Sequence, residues 1–123
     1  MSFGVVEGEP SSGVSGLTVA FDLPRGRATA VRDVSFEVAA GEIVGIVGES
    51  GSGKTVTARS LLGLLPPTGQ VVAGSAVFDG TELTGLGERE LARVRGGRIA
   101  LVSQEPLSGL DPVFRVGSQL AEV

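Results

Sequence analysis

The sequence predicts an α/β domain, and three patterns in the order of its residues lead to that prediction. Apolar and polar residues alternate from position 16 and again after a polar turn at 24–27, which indicates two antiparallel strands. A short apolar run at 43–47 follows, of the kind that forms a strand buried on both faces. A glycine-rich loop and a segment with helical periodicity come directly after it. The apolar residues that share one face in the first two runs are Leu17, Val19, Phe21, Val34, Phe36 and Val38.

The helix after the loop is predicted from Ala58, Leu61, Leu62 and Leu65, which recur at the spacing i, i+3, i+4, i+7 of an amphipathic helix. The proline pair at 66–67 is expected to end this helix, since proline cannot continue one. Strand, glycine loop and helix therefore follow one another in a single segment of the chain.

The remaining segments predict shorter elements. A strand is expected at 75–79, a short charged helix at 88–95, a second buried strand at 99–102 and the start of a helix at 116–123. The charged run 88–95 and Arg98 are interpreted as a solvated helix face.

Length and composition indicate one domain at most. A chain of 123 residues, 41% hydrophobic and 20% charged, has the composition of a packed domain and not of a disordered chain. Residues 1–15 mix Gly, Glu, Pro and Ser without periodicity and are predicted to be a mobile terminus, so the domain is expected to span 16–123. No run approaches the roughly 20 apolar residues of a membrane-spanning helix, so the chain is not expected to cross a membrane itself.

Charge and residue types exclude several kinds of chemistry. The chain has no cysteine and no histidine, which rules out disulfides, zinc sites with these ligands and imidazole general bases within these residues. Its net charge of −4 argues against a broad nucleic-acid surface, because binding to phosphate backbones uses clustered basic residues. Lys54 is the sole lysine among ten basic residues.

Residues 48–55 carry a chemical signal of their own. They match the pattern G-x-x-x-x-G-K-[ST] of a phosphate-binding loop, in which glycines let successive backbone N–H groups point at phosphate oxygens. The positive end of the following helix faces the same oxygens, Lys54 is expected to reach the β- and γ-phosphates, and the Thr55 hydroxyl is expected to ligate Mg²⁺. The loop consists of Gly48, Glu49, Ser50, Gly51, Ser52, Gly53, Lys54 and Thr55.

The alternative interpretation of this segment is a flexible Gly/Ser loop that contains a lysine by chance. At average amino-acid usage such a match arises at a given start position with a frequency on the order of 10⁻⁵ to 10⁻⁴. The predicted strand before the loop and the predicted helix after it are also the context in which this motif binds phosphate. The sequence therefore favours a phosphate site over a flexible linker.

Two further stretches resemble one family of phosphate-loop proteins. The run AVRDVSFEV at 30–38, which leads into Gly41-Glu42 and the loop, is similar to the start of ABC ATPase domains. The stretch IALVSQEPLSGLDPVFRVGSQLAEV at 99–123 resembles the glutamine-loop region of ATP-binding subunits of oligopeptide, dipeptide and nickel importers. The resemblance implies a P-loop NTPase of ABC type with an amino-terminal antiparallel β subdomain, truncated before the signature and second acidic motifs.

The resemblance also assigns roles to single residues. It implies that Phe21 stacks on the adenine ring with Val31 packing nearby, and that Gln104 contacts Mg²⁺ or the attacking water. Glu105 is interpreted as structural or as part of a contact with a membrane partner. From the residues alone other roles stay open, since Phe21 also fits the core of a strand and Gln104 also fits an amide that caps a turn.

For the complete protein the resemblance implies ATP binding and hydrolysis that drive the import of peptides or similar small solutes. The expected partners are permease subunits and a second ATPase subunit in a head-to-tail dimer, on the cytoplasmic face of the cell membrane. Ser108-Gly109 is not the family's signature motif, and neither the second acidic motif nor the switch histidine occurs in this sequence. Hydrolysis by these residues alone is therefore left open, and the strand at 43–47 is expected to lack one neighbour.

Three other functions remain as alternatives. A P-loop kinase or GTPase shares the strand, loop and helix, although the antiparallel strands before the loop and the Gln104 region speak against it. An ABC ATPase without a membrane partner, acting in DNA repair or assembly, would use the same core. An interaction module that binds no nucleotide is the third alternative.

Overall fold

The structure, a computed structural model, describes residues 10–49, 51, 53–104 and 110–121. In this part of the chain four antiparallel strands form one sheet in the order β2-β1-β3-β4, and three helices accompany it. No helix of the described residues is long and apolar enough to cross a membrane. The elements are β1 (Pro10–Leu23), β2 (Gly26–Ala39), α1 (Lys54–Leu61), β3 (Gly69–Phe78), β4 (Thr81–Glu82), α2 (Glu88–Val94) and α3 (Val116–Ala121).

The predicted antiparallel pair at the start of the chain is confirmed as β1 and β2, joined by a two-residue turn. β1 begins at Pro10, so 10–15 belong to the sheet and not to a mobile terminus as the sequence had suggested. Val14 pairs with Phe36 of β2 and is only 4% exposed, so pairing of this segment buries an apolar side chain. The serines and glycines around Val14 obscure the alternation of apolar and polar residues in the sequence. Residues 1–9 lie outside the described part of the chain.

One hydrophobic core joins the sheet to α1 and α2. Side chains from β1, β2 and β3 meet Val94 of α2, while Val56 and Leu61 of α1 pack against the same cluster. The predicted face of the two strands is confirmed, because Leu17 and Val19 are fully buried within it. The buried members of the cluster are Val14, Leu17, Val19, Val31, Val34, Ala76, Leu83 and Val94.

A row of irregular positions bends the sheet across its three long strands. Gly16 of β1, Asp33 of β2 and Gly74 of β3 all have positive φ, at 59°, 48° and 89°, and the strand register shifts beside them. Side chains replace the missing ladder bonds, since the Gly16 N–H donates to Ser35 Oγ at 2.8 Å and the Asp33 N–H donates to Thr18 Oγ1 at 3.1 Å. Such bulges increase the local twist, so the row fixes the curvature of the sheet.

The helix after the glycine loop ends at Leu61, whereas the periodicity had predicted that it runs to Leu65. Gly63 explains the difference, because it has φ of 65° and lets the chain leave the helix in a left-handed conformation. The Leu64 N–H then donates to the Arg59 carbonyl at 2.9 Å, which is the long bond of a Schellman ending. The proline pair therefore lies beyond a helix that has already ended.

Two predicted strands are absent from the described structure. Residues 43–47 and 99–102 have no extended pairing beyond isolated bridges, and Ile43, Val47 and Val102 are 98%, 67% and 92% exposed. A strand with two apolar faces forms only between hydrogen-bonded neighbours and covering helices. Among the described residues no named strand is hydrogen-bonded to either segment, so the prediction that both are buried strands is wrong for this structure.

The later elements follow the prediction with corrected boundaries. The strand expected at 75–79 is longer and forms a hairpin with β4, whose turn at Asp79-Gly80 has positive φ at both residues. An Asp-Gly pair between strands favours this type of turn, and that signal was missed in the sequence. The predicted helix at 88–95 is confirmed as α2, which ends at Val94. The predicted start of a helix at 116–123 is confirmed as α3 over Val116–Ala121, and residues 122–123 lie outside the described part of the chain.

Arg95 departs from the solvated face predicted for 88–95. Its side chain is only 23% exposed, and its guanidinium donates to the Leu62 carbonyl at 2.7 Å and to Glu88 at 2.6 Å. The hydrogen bond and the charge of Arg95 hold the pKa of the Glu88 carboxyl below its usual value, and the bond to Glu88 raises the pKa of Arg95. Arg98 stays exposed, with its guanidinium 5.2 Å from the centroid of the Phe78 ring.

We predict that Gly74→Ala destabilises the domain more than Gly80→Ala. Both glycines have positive φ. At Gly80 no atom in the described part of the chain lies within 4 Å of an added Cβ, so alanine there carries only backbone strain of about 1 kcal/mol. At Gly74 a Cβ would also lie 2.4 Å from the Gly16 carbonyl oxygen, which adds a clash and brings the cost to roughly 3 kcal/mol. Urea unfolding of both variants measures the two costs, and equal losses would show that the row of bulges tolerates a side chain.

Candidate functional site

The glycine loop leads directly into the first turn of α1. Gly51 and Gly53 have φ of 82° and 93°, a conformation that residues with a side chain rarely adopt. The first turn of α1 contains no acidic residue, so nothing on the helix neutralises the positive end of its dipole. Ser50 and Ser52 were predicted as part of this loop and lie outside the described residues.

The side chain of Lys54 closes the loop. Its Nζ donates to the Gly48 carbonyl and, at 2.7 Å, to the Glu49 carbonyl. The side chain thus folds back from the start of α1 to the start of the loop and joins its two ends. A positive charge is thereby held at the start of the loop.

The loop is docked on β2 through Gly53. A Cβ added there would lie 2.8 Å from the Ala30 carbonyl oxygen and 3.3 Å from Cγ2 of Val31, so only glycine fits without movement. On the other side, the buried hydroxyl of Thr57 donates to the Gly53 carbonyl at 2.7 Å. The sheet and α1 together therefore fix the last residue of the loop before the lysine.

Two adjoining clefts open beside the loop, and Gln104 lines both. One has a volume of about 370 Å³ and is bordered by the loop and by Ala30. The other, of about 430 Å³, lies between α1 and residues 101–104. The structure thus brings the predicted residues Lys54, Thr55 and Gln104 together around shared clefts, and both Thr55 and Gln104 are exposed. No carboxylate lines either cleft among the described residues.

Neither Phe21 nor Val31 lines these clefts. Val31 is 2% exposed within the core, and half-buried Phe21 packs against the same core. The Phe21 ring covers Gly69 of β3, where an added Cβ would lie 2.7 Å from its Cε1. Their contact with adenine stays a prediction, and Glu105 lies outside the described residues.

Sequence reasoning missed the role of Ala30. It lines the cleft next to the loop, and its carbonyl marks the closest approach of β2 to Gly53. The one signal for it is that Ala30 begins the run at 30–38 that resembles the start of ABC ATPase domains. A small apolar residue carries no chemical signal of its own, so its place emerges only in the structure.

A glycine loop that is closed by its lysine and leads into a helix, beside an antiparallel sheet, defines a P-loop nucleotide-binding protein. Residues 31–121 of the chain match the family model described as ABC transporter. The chain therefore belongs to the ABC transporter family, which confirms the predicted fold class and family. The match also decides against the kinase or GTPase alternative.

Known proteins with similar sequences carry transport names. The chain is 50% identical over 110 residues to the oligopeptide transport ATP-binding protein OppD of Salmonella typhimurium and 49% identical to that of Escherichia coli. It is 41% identical over 109 residues to the dipeptide transport ATP-binding protein DppD of Lactococcus lactis. Each match covers 89% of this chain but only 31% or 32% of the relative. The chain thus spans about a third of the length of these relatives.

We predict that Gly53→Ala disturbs the loop more than Gly51→Ala. Gly51 also has positive φ, but no atom of the described residues lies within 4 Å of an added Cβ, so its substitution costs about 1 kcal/mol of backbone strain. Alanine at Gly53 must in addition displace the loop from Ala30, at a total cost of roughly 3 kcal/mol. Thermal unfolding of the two variants compares the costs, and an equal loss of stability would argue against tight docking of the loop on β2.

Proposed function

We propose that this chain binds ATP together with Mg²⁺ at residues 48–55. The observation that carries the proposal is the closed loop, in which Lys54 joins both ends next to clefts that Gln104 also lines. The backbone N–H groups of the loop and the positive end of α1 would hold the phosphates. Lys54 would exchange its bonds to loop carbonyls for bonds to the β- and γ-phosphates.

Thr55 and Gln104 are the residues that would hold Mg²⁺. Their hydroxyl and amide oxygens are the hard ligands that Mg²⁺ prefers, and both side chains are exposed and line the same clefts. Mg²⁺ usually takes only one or two protein ligands and completes its shell with water and phosphate oxygens. The ion would neutralise charge on the phosphates during transfer.

For adenine we propose stacking on Phe21, with Val31 behind it. One part of the Phe21 ring contacts Gly69 and the hydrophobic core. This contact supports the alternative interpretation of Phe21 as a core residue. The stack would use the remaining area of the half-buried ring. Because base stacking is tolerant of the aromatic residue type, phenylalanine is a sufficient platform.

In the complete protein, ATP hydrolysis would drive the import of peptides or similar small solutes. The relatives named for oligopeptide and dipeptide transport support this substrate class. We propose that permease subunits and a second ATPase subunit, packed head to tail, are the partners, and that the protein acts on the cytoplasmic face of the membrane. An ABC ATPase that is not coupled to transport is the second candidate, supported only by the shared family core.

The proposal predicts that MgATP protects Lys54 from amine-directed labelling. Lys54 is the sole lysine, so mass spectrometry should find modification at this residue and at the amino terminus alone. Phosphate oxygens would engage the ammonium group, and the labelling rate of Lys54 should fall several-fold while that of the amino terminus stays constant.

Two controls make the labelling experiment specific. Adenosine, which has no phosphate, should give no protection, and Gln104→Ala should keep most of the protection because the loop supplies the phosphate contacts. Turnover of ATP by this chain should stay near background, since no carboxylate lines the clefts among the described residues. An unchanged labelling rate of Lys54 at saturating MgATP would refute the proposed site.

A further inference from the structure

Arg95 is a largely buried cation outside the clefts, and its side chain binds the far end of α1. Its Nε donates to the Leu62 carbonyl at 2.7 Å, and one terminal nitrogen donates to the Gly63 carbonyl at 3.3 Å. Both carbonyls lie just beyond the helix that begins with Lys54. The negative end of the helix dipole favours a cation at this place.

Glu88 holds the guanidinium of Arg95 in this orientation. Its two carboxylate oxygens accept from two terminal nitrogens of Arg95 at 2.6 and 3.2 Å. This paired geometry fixes the plane of the guanidinium, so its remaining N–H groups point at the carbonyls after α1. α2, which begins at Glu88, is thereby connected to the end of α1.

The main chain of Arg95 begins the turn that leads to Gln104. The Gly96 N–H donates to the Ile99 carbonyl at 2.8 Å, and the Ile99 N–H donates to the Val94 carbonyl at 3.0 Å. Arg95 and Ile99 also form an isolated parallel bridge. The turn 95–99 is therefore fixed to the same residue that binds the end of α1.

Residues 100–104 continue from this turn without helix or strand. Residues 101–104 form one wall of the larger cleft, and the first two turns of α1 form the other wall with Lys54, Thr55, Ala58 and Arg59. Because 100–104 form neither helix nor strand, the distance between the two walls depends on the points at which this segment is anchored. The anchor at its beginning is the turn that contains Arg95.

We infer that Arg95 is a positioning residue, which ties the end of α1 to the turn 95–99 and thereby holds Gln104 against the nucleotide cleft. The inference rests on the proposed function, because that function gives Gln104 its role. Arg95 itself has no contact with the cleft and acts through the backbone that carries Gln104.

The absence of cysteine allows the distance between the two cleft walls to be measured directly. Spin labels are attached to Arg59→Cys on α1 and Val102→Cys on the opposite wall, both exposed positions, and dipolar EPR gives the distribution of inter-spin distances. With Arg95 present we expect one narrow distribution. Arg95→Met keeps the length of the side chain but removes its donors, and the distribution should lose its narrow peak and broaden.

Arg95→Lys separates positioning from a general loss of stability. A lysine can donate to one of the two carbonyls, so the narrow peak should return in part, even if both variants unfold at lower temperature than the parent chain. If Arg95→Met, measured well below its unfolding temperature, shows the parent distribution, the inference is overturned. Should Arg95→Met fail to fold, Glu88→Gln decides, since broadening supports the inference and an unchanged peak overturns it.

The EPR experiment tests the role of Arg95 and the labelling experiment tests the proposed function, so either proposal can be refuted without the other. If MgATP does not protect Lys54 in the parent chain, the proposed function is wrong whatever the EPR distribution shows. If Lys54 is protected but the inter-spin distance distribution is the same with and without Arg95, the proposed function stands and Arg95 has only a structural role.

Discussion

The close approach of Gly53 to the backbone of β2 is the constraint on which the site depends. A side chain at this position would collide with the Ala30 carbonyl, so glycine allows the loop to rest directly on the sheet. α1 begins at the next residue, and Lys54 reaches back from there to the start of the loop. The sheet therefore determines where the helix starts, and the start of the helix determines where the charge lies. A small displacement at Gly53 would move both.

The parts of the fold that depend on local patterns were predictable from the sequence. Period-two alternation around Leu17 and Val19 identified the antiparallel pair, because one face of that pair is buried within this chain. The glycine loop and the start of α1 were predictable for a different reason, since glycine readily accepts the positive φ seen at Gly51 and Gly53 and the motif places Lys54 where the helix begins. The role of Gln104 was expected from a resemblance and not from any periodicity, and in the structure Gln104 lines both clefts.

The parts that depend on neighbours distant in sequence were not predictable. The apolar runs at 43–47 and 99–102 have the composition of buried strands, yet pairing partners and not composition decide whether a strand forms, and Ile43 stays exposed. The early end of α1 was predictable in principle, because Gly63 precedes the prolines and glycine is the residue that most often follows the last turn of a helix in a left-handed conformation. The contacts of Arg95 were not predictable, since a cation in a charged helical run is usually solvated. Nothing in the sequence shows that its side chain donates to the carbonyls of Leu62 and Gly63.

Backbone amide NMR shifts on addition of MgATP test the central claim most directly, because the claim is that loop N–H groups and the start of α1 bind phosphate. The account predicts that the largest shifts occur at Gly51, Gly53, Lys54 and Thr55, with smaller shifts near Gln104. The amides of Gly74 and Gly80, in the sheet and its distant turn, should be unchanged. Shifts that are absent from the loop, or that scatter over the sheet without a maximum at 51–55, would contradict the account.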